Sequence, residues 1–248
     1  MVGRERGGIW GRAVVSVLTA GGVIAGGVIA GGATLGHPGE GADDAAPAPM
    51  TRAEVDRAAG LARQATVQVS ALACGARIIG SGFGVGGAVV TNRHVVGGAS
   101  QVVVAGGTVA PAAVLATFQS VDLALVDGVG GPDLDRAPHR PDRGEPLLVA
   151  GRPGAGPVEV RLSRVHLYSD GRPWGMVGEV LLLDTPTGPG WSGGPVLDRQ
   201  GRVVAVLAAQ DQVTGLALAV PLTGDDELTP GPAPADGCSG PAPPPVPG

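Results

Sequence analysis

The chain has 248 residues, enough for one β domain of ordinary size or two small ones, and its 45 glycines and 23 prolines are too many for a helical protein. All 17 of its positive charges are arginine and the net charge is -5, without long basic runs, so the composition gives no support for a nucleic-acid partner.

Read from its start, the chain carries Arg4, Arg6 and Arg12 and then an apolar stretch, residues 13–35, without a charge. That pattern is an export signal, either a cleaved signal peptide or a retained membrane anchor that would give membrane contact through residues 13–35. Its glycine pairs make it less oily than a leucine-rich span. Residues 36–50 are Gly, Ala, Pro and acid without periodicity, which predicts a flexible linker.

Order resumes at Thr51. Thr51 with Glu54 makes a capping box, and Val55, Ala58, Ala59 and Ala62 fall on one face of a short helix. Strand-like runs then follow at 66–72, 77–85, 88–91, 101–104, 123–126, 146–150, 158–168, 178–183, 203–209 and 215–220. This spacing predicts an all-β sandwich or barrels rather than alternating βα units. The folded domain is expected over residues 51–224, with a Pro-rich tail at 225–248.

Cys74 and Cys238 are the two cysteines. In an exported protein an even pair favours a disulfide, two unrelated free thiols being the alternative; without histidine neighbours they are a poor metal site, and no cofactor is implied.

Three segments carry chemistry. Gly80-Ser-Gly-Phe-Gly-Val-Gly-Gly-Ala-Val-Val-Thr-Asn-Arg-His94 contains a Gly86-Gly87 hairpin turn and places His94 just past a strand end. Val121-Asp122-Leu-Ala-Leu-Val126 sets a carboxylate at the mouth of an apolar strand. Asp184-Thr-Pro-Thr-Gly-Pro-Gly-Trp-Ser192-Gly-Gly-Pro wraps a serine in glycines.

Together these segments resemble the histidine, aspartate and serine motifs of the trypsin-like serine proteases, in the same order, and are closest to the HtrA-type and membrane-anchored bacterial members. The resemblance covers about residues 66–222 and implies an all-β fold of two six-stranded antiparallel β-barrels with a short N-terminal helix. It implies an exported serine endopeptidase, secreted or anchored on the outer face of the cytoplasmic membrane, acting on a protein or peptide substrate. Ser192 would be the nucleophile, His94 the general base and Asp122 the group that orients the imidazole. The N–H groups of Gly190 and Ser192 would form the oxyanion hole.

The same resemblance places the primary pocket at Thr185, Pro186, Thr187, Leu207, Ala208, Ala209 and Ala217. None is charged, so the pocket should take small or medium apolar side chains and reject Arg and Lys, with Asp184 just outside the wall. Trp191 stands where the family has a small or polar residue, and it either narrows the cleft or packs.

Two look-alikes fail. Gly190-Trp-Ser192-Gly-Gly fits the α/β-hydrolase elbow, but His37, His94, His139 and His166 all precede the serine. Arg77-Ile-Ile-Gly80 looks like a zymogen cleavage site, yet cutting there would sever the strand before His94, and no counter-ion for a new N-terminus precedes Ser192. The reading from another class is a catalytically idle binding module of the cell envelope on the same fold, which Trp191 alone favours.

Overall fold

The computed structural model describes residues 46–128, 130–154, 156–222 and 230–231. The apolar segment 13–35, most of the 36–50 linker, Cys238 and nearly all of the tail lie outside the described residues. Among the described residues no helix is long and apolar enough to cross a membrane.

The first element is helix α1, Arg52–Ala65, and its start is the capping box. The Thr51 N–H donates to Glu54 Oε2 at 2.6 Å, and the Glu54 N–H donates to Thr51 Oγ1 at 3.3 Å. The Thr51 backbone N–H foremost, and then the Thr51 hydroxyl, which donates to the same Oε2 at 2.9 Å, hold the Glu54 carboxyl below its usual range. Ala58, Ala59, Ala62 and Ala65 form the buried face, one turn longer than the sequence pattern predicts, with Val55 half-buried at its edge. Their small side chains let the helix lie directly on the second barrel.

Strands β1 (Thr66–Ala73), β2 (Ala76–Val85), β3 (Ala88–Thr91), β4 (Ala99–Ala105), β5 (Val109–Ala112), β6 (Val114–Phe118) and β7 (Leu123–Val126) form the first sheet. A short strand β14 (Pro230–Gly231) joins its edge, and the hydrogen-bonded order is β14-β6-β7-β3-β2-β1-β4-β5. The β2–β3 hairpin turns on Gly86 and Gly87, both at positive φ (59° and 79°), the conformation that two-residue turns need and glycine adopts freely. Between β3 and β4 the chain makes one helical turn, α2 (Arg93–Val96).

The remaining strands close into a six-stranded barrel. They are β8 (Pro146–Gly151), β9 (Glu159–Asp170), β10 (Glu179–Leu183), β11 (Pro195–Leu197), β12 (Val203–Gln210) and β13 (Ala217–Pro221), in the order β10-β13-β12-β11-β8-β9. The all-β, trypsin-like architecture is as expected; one barrel closes, whereas the first sheet is curled and counts eight strands. Residues 77–80 lie in the first half of β2, paired with β1, so a cut after Arg77 would break a continuous ladder.

Each half has its own apolar interior: Val67, Val69, Val89 and Val104 in the first sheet, Leu147, Val149, Leu181 and Leu183 in the barrel. A third cluster joins Phe83, Val90 and Leu123 to Leu148, Leu197 and the alanine face of α1. Phe83 and Leu123 are 0% and 1% exposed, and burying such a side chain stabilises by about 1.5–3 kcal/mol. The seam between the halves is therefore fixed, and the chemistry-bearing segments meet along it.

Candidate active site

His94 is the second residue of α2, which begins after Asn92, the buried cap that follows the end of β3 at the buried Thr91. Asp122 closes the β6–β7 turn one residue before β7. The two are joined twice: His94 Nδ1 lies 2.6 Å from Asp122 Oδ2, and the His94 backbone N–H donates to Asp122 Oδ1 at 3.0 Å. The Asn92 side-chain amide donates to the Asp122 carbonyl at 2.8 Å, tying the turn to the start of α2. The Asp122 side chain is 14% exposed and that of His94 47%, so the carboxylate backs the imidazole from the protein side and leaves its far edge open to a substrate. A second acceptor bond from the backbone fixes which carboxylate oxygen faces Nδ1.

The serine arrives from the other half. Pro189 and Gly190 occupy the centre of a turn closed by the Trp191 N–H donating to Gly188 O at 3.1 Å, with Gly190 at φ 87°. Proline followed by a residue of positive φ is the chemistry of a type II turn. Beyond the serine, the Gly193 N–H donates to Leu207 O and the Leu207 N–H to Gly194 O, at 2.7 and 2.8 Å, which lays the loop along β12. Gly193 has φ 92°, and a Cβ there would collide with the Ser81 carbonyl oxygen. Only glycine lets the loop pass β2.

Among the described residues, the N–H groups of Trp191, Gly193 and Gly194 all have acceptors, while those of Gly190 and Ser192 have none. The two uncommitted donors are the pair that the sequence motif assigns to the oxyanion hole. The Ser192 hydroxyl donates to Ala208 O at 2.9 Å and makes no hydrogen bond to His94. The two segments are nevertheless adjacent: a Cβ on Gly80 would lie 2.8–2.9 Å from both Val95 methyls and the Ser192 carbonyl oxygen. Rotation about one side-chain bond redirects the hydroxyl, and such contacts commonly tighten only when substrate is bound.

The family now has its evidence in sequence as well as geometry, since residues 80–206 match the trypsin-like peptidase domain. The chain belongs to that family. It is 34% identical over 145 residues to the serine protease Rv3671c of Mycobacterium tuberculosis, an alignment covering 52% of this chain and 36% of that one. The chain thus spans about a third of the length of this relative. The crystal structure of the active form of the same protease superposes with a TM-score of 0.62 at 26% identity, over 71% of this chain and 84% of that one. The HtrA-type protease AlgW with a tripeptide shares the fold, with a TM-score of 0.60 at 22% identity over 67% of this chain and 59% of that one.

The pocket segments come together as three neighbouring strand ends. Leu183 pairs with Ala217 and Leu207 with Ala219, which brings Thr185–Thr187, Leu207–Ala209 and Ala217 to one end of the barrel. Thr185, Leu207, Ala208 and Ala217 are buried, Thr187 is half-buried, and Pro186 and Ala209 are exposed. Asp184 is turned to β9, where its Oδ1 accepts from the Arg164 N–H at 2.6 Å and the Ser163 hydroxyl at 3.2 Å.

Trp191 packs. Its ring lies in the barrel interior with Leu147, Val149 and Leu183, is 3% exposed, and presses on the bare Cα of Gly151. Arg161, which the sequence patterns do not single out, stacks its guanidinium 4.5 Å over that ring and donates to Pro186 O at 2.7 Å, with Glu159 at 3.1 Å. Ser81 is the other residue the motifs pass over; its signal is the flanking Gly80 and Gly82, since glycine inside a strand marks a close backbone approach. His139 and His166 are exposed and away from these contacts.

Proposed function

We propose that the protein is an exported serine endopeptidase in which Ser192 attacks the peptide carbonyl, His94 takes and returns the proton, and Asp122 orients the imidazole. One observation carries the reading: a doubly anchored His94–Asp122 pair stands beside a serine loop in which, among the described residues, the Gly190 and Ser192 N–H groups on either side of Trp191 lack acceptors. Attack by Ser192 Oγ forms the Oγ–C bond as the carbonyl π electrons move onto oxygen, and the hydroxyl proton passes to His94 Nε2. The two amides then hold the oxyanion. Collapse breaks the C–N bond, the proton goes from Nε2 to the leaving amine, and water repeats the sequence to free the acid.

Cleavage follows small or medium apolar residues. The pocket segments bring no carboxylate and Asp184 is occupied at β9, so a buried Arg or Lys side chain would have no partner there. Cys74, which sits at the β1–β2 turn and is not free, is bonded to Cys238 in this proposal, tying the tail to the first sheet. The segment 13–35 either directs secretion or holds the enzyme on the outer face of the membrane.

A second reading, an idle binding module on the same fold, is favoured by the Ser192 hydroxyl bonding Ala208 O instead of His94. Labelling with a fluorophosphonate separates the two. The protease reading expects stoichiometric labelling that Ser192→Ala abolishes; an intact protein that stays unlabelled is the idle module.

A further inference from the structure

Ser81 is 0% exposed and lies on β2, in the half of the protein that carries His94, yet most of its hydrogen bonds reach the half that carries the nucleophile. Its N–H donates to the Ser192 carbonyl at 2.7 Å. Its hydroxyl donates to the Gly190 carbonyl at 2.7 Å and accepts from the Arg152 N–H at 2.8 Å. Its own carbonyl accepts from the Thr91 hydroxyl at 2.7 Å, which ties it back to the strand leading into His94.

The geometry points to Ser81 as the positioning residue of the oxyanion hole, a role that rests on the endopeptidase reading above. The hole needs two N–H groups, those of Gly190 and Ser192, to converge on one point. Between their peptide planes lies the plane that holds the Gly190 carbonyl and the Trp191 N–H. Gly190 is at φ 87° and has no Cβ, so side-chain sterics do not stop a neighbouring peptide from turning over. Two contacts stop it: the Trp191 N–H on Gly188 O from one side and the Ser81 hydroxyl on Gly190 O from the other. The Ser81 N–H pins the Ser192 carbonyl in the same way, so one residue restrains the Gly190–Trp191 and Ser192–Gly193 peptide planes.

Removing the hydroxyl leaves the Gly190 carbonyl and the Arg152 N–H without partners in a buried place, an arrangement that native interiors avoid. The Gly190–Trp191 plane then rotates to recover a partner, and the two hole amides diverge. Substrate binding in the side-chain pocket does not use this plane, so the loss falls on the chemical step. The Arg152 backbone belongs to the same clamp: its side chain donates to Ala105 O at 3.0 Å and Gly156 O at 3.2 Å, which holds the chain end of β8 where Ser81 meets it.

The test compares wild type, Ser81→Ala and Ser81→Cys on a chromogenic peptide, with active-site titration to count competent molecules. Removing a single oxyanion donor costs about a hundredfold or more in kcat; a misdirected pair should lower kcat by about 10- to 100-fold. KM should stay within about threefold, and the inhibition constant of a peptidyl boronic acid should rise in step with the fall in kcat, while that of the product peptide stays put. Ser81→Cys, close in volume and a weaker donor, should fall between, and it carries the test should Ser81→Ala not fold. Asp198→Asn serves as the structural control, because Asp198 is 4% exposed and bonded to Gln200 and Arg202 in the β11–β12 turn, so it should lower the melting temperature without changing kcat. An active wild type whose Ser81→Ala variant keeps kcat and boronate affinity overturns the role of Ser81 and leaves the endopeptidase reading standing. A wild type that neither cleaves peptides nor reacts with a fluorophosphonate overturns both.

Discussion

Asp122→Asn is the sharpest test of the histidine's surroundings, because the carboxylate faces two donors at once. In the wild type Oδ1 accepts the His94 backbone N–H at 3.0 Å and Oδ2 meets Nδ1 at 2.6 Å. An asparagine has one acceptor and one donor for these two places. With its oxygen toward the backbone N–H, its NH2 faces Nδ1 and donates to it, which puts the ring proton on Nε2, where the serine's proton has to go. With the amide reversed, Nδ1–H is accepted as before, but NH2 opposes the backbone N–H. Leaving that donor unpaired costs about 1–3 kcal/mol, so the productive arrangement falls to roughly one part in 10 to 100. The lost negative charge no longer stabilises the imidazolium, and together the two effects should lower kcat by about 10^3 to 10^4. Steady-state kinetics on a peptide substrate measures it, with thermal melting to show that the fold survives. A variant within tenfold of wild type would refute the orienting role of Asp122.

Ser192→Ala and His94→Ala should each remove nearly all peptidase activity and the double variant little more, since the groups act as a unit; multiplicative losses in kcat would contradict a shared step. A peptide library should rank Ala, Val or Leu before the scissile bond about tenfold or more above Arg, and an Arg-first ranking that Asp184→Asn abolishes would show that Asp184 reaches the pocket. Reduction should lower the melting temperature if Cys74 and Cys238 are joined, and finding both thiols free by mass spectrometry of unreduced peptides would end that pairing. The Thr51 bonds depress the Glu54 carboxyl in the folded state, so the unfolded chain binds that proton more readily and the stabilisation, present above the ordinary carboxylate pKa of about 4.3, fades as pH falls through the folded value. Glu54→Gln, which removes the titrating carboxyl, should therefore flatten the acid side of the melting-temperature profile, and an unchanged slope would show that this carboxyl contributes nothing to it.

The elements easiest to read in the sequence are those whose signal is local. The capping box at Thr51 and Glu54, the glycine pair at Gly86 and Gly87, and apolar runs such as 146–150 and 203–209 each state their geometry within a few residues. Strands β5, β6 and β11 are less visible. Pro111 interrupts the first, alanine and threonine dilute the second, and the third is three residues long, held by β8 and β12 on either side. His94 reads as a residue past a strand end; its helical turn is too short to show a period. In the site, His94, Asp122 and Ser192 stand out because each lies in a motif. Ser81 reaches Arg152, Gly190 and Ser192, 71 to 111 residues away in the chain, and Arg161 reaches Pro186 and Trp191, 25 to 30 residues away, and no window along the sequence contains both ends of such a contact.

The division of the site between the halves gives Trp191 its meaning. His94 and Asp122 lie on connections between strands of the first sheet, whereas Ser192 belongs to a barrel loop with glycine at 188, 190, 193 and 194. Such a loop can turn tightly but loses the most entropy when ordered. Order must come from its neighbours, and it comes from three directions: β12 takes the backbone after the serine, Ser81 takes the carbonyls on both sides of it, and Trp191 sinks into the barrel interior between those two grips. A small residue at 191 would leave the middle of the loop unanchored, and Gly151 is bare where the ring presses on it. Arg161, stacked on the same ring and bonded to Pro186, extends that anchor to the pocket wall. A bulky side chain beside Ser192 therefore orders the loop from below without covering the serine, which is why it does not favour an idle module.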